Sequence, residues 1–179
     1  MGRMQIYCAA SLDGFIAGAG DDLSWLGEPD FEQAGDPGTV SFADHMAGTG
    51  AMLMGRRTFD VVMGFGGEWP YGETPVLVAT SRPLPGGAPG TVSVTSGDIS
   101  RLCRQARDLA GERNVYLDGG GIITQALDAG CVDEMILSVV PTLLGEGISL
   151  YRGEQRHRFD AEYLGRYGVT LQMRLTRAE

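Results

Sequence analysis

Met4–Ala10, Ala51–Met54 and Val76–Ala79 are apolar with little alternation, and Val92–Thr95 is rich in β-branched residues. A strand with one wet face alternates apolar and polar side chains. Short runs without that alternation suit strands covered on both faces, the condition of a parallel sheet between helices. Helical periods lie between the later runs. Asp98 is a good N-cap, Ile99, Leu102, Cys103, Ala106 and Leu109 share one face, and Gly111 supplies a stop. A second helix is expected from Gly121 to Ala129, with Ile122, Ile123, Ala126 and Leu127 inward and Gly130 at its end. Leu117 closes a strand before it and Met135–Val140 forms one after it, which makes a β-α-β unit. Near the C-terminus Val169, Leu171, Met173 and Leu175 alternate with polar residues, as in a peripheral antiparallel strand with a wet outer face. The fold class is therefore an α/β sheet, mostly parallel, with an antiparallel end.

The 179 residues suit one domain, 1–179, with a full core. The net charge of -9 and the absence of a visible basic patch argue against a nucleic-acid partner. No apolar run is long enough to span a bilayer, and the start lacks a signal-peptide core, so no membrane role and a cytoplasmic location are expected. Ile6 stands where N-myristoylation asks for Ser or Thr. Cys8, Cys103 and Cys131 have no paired spacing and read as reduced thiols. With only His45 and His157, no metal-ligand cluster is expected, and no nucleophile–histidine pattern suggests a hydrolase.

The chemistry gathers at strand ends. In Leu117-Asp118-Gly119-Gly120-Gly121-Ile122-Ile123, glycines between a strand and a helix let backbone amides approach a phosphate at the positive end of a helix. Glycines there also make a plain tight turn, and both readings stay open. In Met54-Gly55-Arg56-Arg57-Thr58-Phe59, two arginines open a helix, where they oppose its dipole unless an anion sits nearby. From Gly50 the stretch mimics a P-loop, but Arg56 replaces the lysine and no Ser or Thr follows for magnesium, so ATP hydrolysis is rejected. Thr80, Ser81 and Arg82 at another strand end suit a ribose 2′-phosphate, or a turn before Pro83. Asp13 follows the first strand, where it faces a substrate or belongs to an Asp-Gly turn. Trp25 and Trp69 sit in Pro/Gly-rich loops, where each stacks on a flat ring or covers the core.

These motifs, with Ser11–Ala17 and Val132–Gly147, come in the order seen in the dihydrofolate-reductase-like superfamily. Over nearly the whole chain the sequence resembles most the C-terminal reductase domain of the bifunctional riboflavin-biosynthesis deaminase-reductase and its stand-alone bacterial relatives. The resemblance implies a three-layer α/β/α fold with a mostly parallel central sheet and antiparallel C-terminal strands. It implies NADPH as cofactor and hydride transfer to a C=N or C=O group of a small-molecule substrate; the riboflavin branch reduces a phosphoribosylamino-pyrimidine. By resemblance Gly55, Arg56, Arg57 and Thr58 hold cofactor phosphates, and Thr80, Ser81 and Arg82 the 2′-phosphate. Gly120, Gly121, Ile122 and Ile123 hold the pyrophosphate, and Ala10 and Ile16 border the nicotinamide. The sequence departs from folate reductases in one respect: its acid before Met-Gly-Arg, Asp44, is not at the matching distance from Gly55. No deaminase half accompanies the reductase pattern.

Asp13 is expected to bind the substrate or relay a proton, and Trp25, Asp44 and Thr142 complete the expected substrate pocket. The alternative is a non-catalytic nucleotide-binding or regulatory protein on the same fold, since no acid–base residue is secure. A homodimer is implied by the resemblance. Its physical motive is the terminal strand, which leaves an edge or apolar face to cover, beside the Arg-rich segment 152–158.

Overall fold

The computed structural model describes residues 2–27 and 34–178. Its eight-stranded sheet runs, from edge to edge, Val92–Thr95 (β5), Val76–Ala79 (β4), Thr49–Gly55 (β3), Asn114–Asp118 (β6), Met4–Ser11 (β1), Glu134–Val140 (β7), Thr170–Arg177 (β10) and Phe159–Tyr167 (β9). The first six are mutually parallel, and β10 and β9 are antiparallel. Phe15–Ala17 (β2) and Ile148–Ser149 (β8) pair separately beside the end of β1. The helices are Phe42–Gly48 (α1), Arg56–Gly64 (α2), Ile99–Ala110 (α3) and Gly120–Asp128 (α4). Among the described residues no helix is long and apolar enough to cross a membrane.

β3 shows why its sequence does not alternate. Ala51 and Leu53 pack on one face beneath α3 and α4; Met52 and Met54 pack on the other, with Phe59 of α2. All four are fully buried, so each side of the pleat has its own core. The amphipathic α3 turns Leu102, Cys103, Ala106 and Ala110 inward. It is capped by the Asp98 carboxylate, which accepts the Arg101 N–H at 2.9 Å.

Two expectations fail at the sheet margins. β5 is an edge strand, with Ser93 and Val94 exposed, so its β-branched composition does not mark burial on both faces. In the C-terminal strand the buried set is inverted at its start: Thr170 and Gln172 are 0 % exposed, whereas Val169 and Leu171 are 58 % and 43 % exposed. β10 does not turn over: its register against β7 is unbroken, and the one slip against β9 leaves the extra residue, Leu164, in β9. The segment around Val40, which precedes α1, lies on the polar face instead. Gln172 can be buried because its amide is satisfied: it accepts from the Val40 N–H at 2.7 Å and donates to the Val40 carbonyl and Ser138 Oγ. The strand is also not the margin, since β9, unrecognised in the sequence, lies outside it.

Candidate active site

The C-terminal ends of β3, β4 and β6 open into one cleft of about 1080 Å3. Its first half is built from helix starts. α2 and α4 have glycine N-caps, Gly55 and Gly119, and neither has a side-chain cap. Their first amides are therefore offered to the cleft at the positive ends of the helices. Gly119 has φ +92°, and a Cβ there would collide with Thr58 Oγ1. A side chain would push α2 and α4 apart, and Gly121 beside it faces open space. This cradle of bare amides and small residues fits a dinucleotide pyrophosphate. Thr58, Thr80, Ser81, Ile16, Gly120, Gly121, Ile122 and Ile123 all line the cleft, together with Gly55, Arg56 and Arg57. Arg56 is held by Asp60 at 2.7 Å and the Pro83 carbonyl at 2.8 Å, and Arg57 by Asp21.

The second half is aromatic. Tyr7, Phe42, Tyr71 and Tyr116 face it from three different elements and one loop. Tyr7 stacks on His45, which meets Tyr116 edge-on, so the rings are braced from behind. Burial holds the His45 imidazole down at about 4, hence neutral. Tyr116 donates to the Tyr7 carbonyl and Tyr7 to the Val40 carbonyl, each at 3.0 Å. Burial raises the pKa of all three tyrosines, so they remain protonated.

Asp118 lies where the halves meet, half-buried at the end of β6. Desolvation raises its carboxyl to about 6, against the opposing pull of the Gly119 N–H and the Tyr71 hydroxyl, the latter at 3.5 Å. Among the described residues no cation pairs with it. Asp118 has no role among the sequence expectations; its signal is an acid that ends an apolar strand and leads into glycines.

The structure brings the expected cofactor residues together except Ala10 and Arg82, but not the expected substrate residues. Asp13 does not line the cleft. Its carboxylate accepts the Ser11 hydroxyl at 2.6 Å and the Leu144 and Gly145 N–H groups, which pins the turn after β1 to the loop after β7. These bonds hold its pKa down at about 2. Asp44 closes the capping box of α1 with Ser41. Thr142 accepts the Leu12 N–H through its carbonyl, outside the cleft. Trp25 is buried and donates to the Asp22 carbonyl, leaving neighbouring Leu23 and Leu26 on the cleft wall. Ala10 packs into the core beneath α3 and α4 while Ala9 reaches the cleft. Arg82 stands just outside the lining, its N–H bonded to Thr80 Oγ1.

A mostly parallel sheet with antiparallel C-terminal strands and a cleft at two open helix starts places the chain among the dihydrofolate-reductase-like α/β proteins. Residues 69–179 match the RibD C-terminal domain, and the chain belongs to that family. It is 27% identical over 150 residues to the uncharacterized protein YwjB of Bacillus subtilis (strain 168), covering 83% of this chain and 82% of that one. A putative riboflavin biosynthesis protein from Shewanella sp. PV-4 superposes with TM-score 0.84 at 28% identity, covering 99% of both chains. Dihydrofolate reductase from Enterococcus faecalis, solved with NADP(H), shares the fold at TM-score 0.60 and 14% identity, covering 99% of this chain and 98% of that one.

Proposed function

We propose that this protein is an NADPH-dependent reductase that reduces a C=N or C=O carbon of a small substrate. The observation that carries this reading is the convergence of two uncapped helix starts and an unpaired, half-buried acid on one cleft. NADPH, when bound, supplies the hydride. Amides at the starts of α2 and α4 would hold the pyrophosphate, and Thr80, Ser81, Arg56 and Arg82 the 2′-phosphate. The protein's own part is to fix the distance, exclude water and manage the proton. Reduction leaves charge on the substrate heteroatom. Asp118, with a pKa near 6, still carries a proton in part of the population near neutrality and can donate it.

Titration with NADPH and NADH, followed by cofactor consumption with pyrimidine, pterin and small carbonyl substrates, tests this. Arg82→Ala should weaken NADPH much more than NADH. Equal losses would remove Arg82 from the 2′-phosphate, and binding without turnover on every substrate would favour a non-catalytic nucleotide-binding protein. We propose a homodimer as the working unit. Tyr163 and Leu171, exposed on the two outermost strands, and the exposed edge of β9 support it. A monomeric mass at micromolar concentration would count against it. A cytoplasmic setting accords with the three free thiols.

A further inference from the structure

The cations of this chain are distributed unevenly around its cleft. All 14 basic residues are arginines, and none occurs between Arg3 and Arg56. That stretch supplies Tyr7, Leu26 and Phe42 to the aromatic half. Tyr71, Tyr116 and Asp118 complete this half, which therefore has an acid and no base. Three arginines line the cleft, Arg56, Arg57 and Arg152, and each guanidinium is already engaged. Arg56 is held by Asp60 and the Pro83 carbonyl, Arg57 is neutralised by Asp21, and Arg152 donates to the Gly147 carbonyl. The nearest helix start on the aromatic side, that of α1, is closed by Ser41 and the Asp44 carboxylate, so it offers an anion neither bare amides nor a favourable field.

A phosphate or carboxylate placed among these rings would lose its water without finding a donor of opposite charge, and would face the Asp118 carboxyl group. A flat ring finds the reverse. It stacks between braced aromatic faces, and N–H groups on its edge meet an acceptor with no other cation to satisfy it. We propose that the substrate is a flat nitrogen heterocycle bearing no phosphate or carboxylate, stacked among Tyr7, Tyr71 and Tyr116 with its N–H edge on Asp118. This rests on the reductase reading in assigning the arginine-lined half to the cofactor.

The test is calorimetric binding of a matched pair, 5-amino-6-ribosylaminouracil and its 5′-phosphate, to the free protein and at saturating NADP+. The phosphate-free compound should bind at least ~10-fold more tightly. Preference for the phosphate ester, or no binding of either at millimolar concentration, overturns the proposal. Leu26→Arg adds a cation to the aromatic wall and should narrow the gap by about tenfold while leaving NADP+ affinity unchanged. An unchanged gap would overturn the assignment of this wall. Because no turnover is measured, a preserved preference in a protein that never oxidises NADPH would sink the reductase reading alone.

Discussion

Asp118 and Glu134 sit on the two strands that flank β1, one at the C-terminal end of β6 and the other at the first residue of β7. Both are withdrawn from water, yet their surroundings are opposite. Glu134, 4 % exposed, receives Arg3 Nη1, Gln5 Nε2 at 2.7 Å and Arg174 Nε at 3.5 Å. Asp118 has a tyrosine hydroxyl at 3.5 Å and one backbone amide. The cost of removing a charge from water is offset at Glu134 by cations within the fold, and at Asp118 it is left standing. A fold that can satisfy one acid so fully and leaves the other open has kept the second available for something that enters the cleft.

The comparison breaks most sharply under Asp118→Asn. This change should lower kcat by roughly 10²–10⁴-fold while NADPH affinity stays within about twofold, as read by steady-state rates beside fluorescence titration. In the wild type kcat should fall as pH rises through about 6, because the donor form is the protonated one. Loss of binding with no change in the rate at saturation would make Asp118 a positioning residue. Glu134→Gln comes next and acts on a different observable. It should cost about 1–3 kcal/mol of stability, a Tm drop of roughly 2–10 °C, with turnover per folded molecule unchanged.

A smaller effect sharpens the contrast in the other direction. The carboxyl of Asp118 is raised from 3.8 to about 6 in the fold, so its ionisation opposes folding. Well below 3.8 both states are protonated and the penalty is absent; it grows between 3.8 and about 6 and is complete above that. Asp118→Asn should therefore melt a few degrees above wild type at pH 8 and with it near pH 3, whereas Glu134→Gln melts lower at pH 8. The smallest effect belongs to a third acid. Asp13 is exposed to solvent yet held by three donors, and Asp13→Asn should leave kcat within about twofold and lower the Tm only slightly. A large loss of turnover there would return Asp13 to the chemistry and weaken the case for Asp118.

What could be read from the sequence follows the range of the interaction. The ends of α3 were legible, because Asp98 and Gly111 are local signals that the structure uses, but Leu109, expected on the inner face, is exposed and Ala110 is buried in its place. The amide cradle was legible because a glycine run between strand and helix has few physical uses. The aromatic half of the cleft was not legible. Tyr7, Phe42, Tyr71 and Tyr116 come from distant parts of the chain, and no local pattern says that four rings meet. Asp13 and Asp44 were natural candidates because acids at strand ends and helix starts are exposed in the unfolded chain. Their carboxylates are instead used by a loop 131 residues away and by a cap. The buried polar start of β10 was illegible because it depends on a segment more than a hundred residues earlier, around Val40, lying on Gln172.

The pairing of β1 has a consequence for how the molecule comes into being. It is the strand nearest the start of the sequence, yet both neighbours, β6 and β7, lie more than a hundred residues on: Met4 pairs with Val115 and Gln5 with Glu134. During synthesis this segment leaves the ribosome with no partner and waits, apolar and unpaired, while the rest is made. Tyr7 can meet Tyr116, and the cleft acquire its second wall, only once β6 has emerged; the other edge of β1 waits for β7. Shorter nascent chains therefore lack that wall, and until β6 appears β1 is an apolar strand with both sheet edges unpaired.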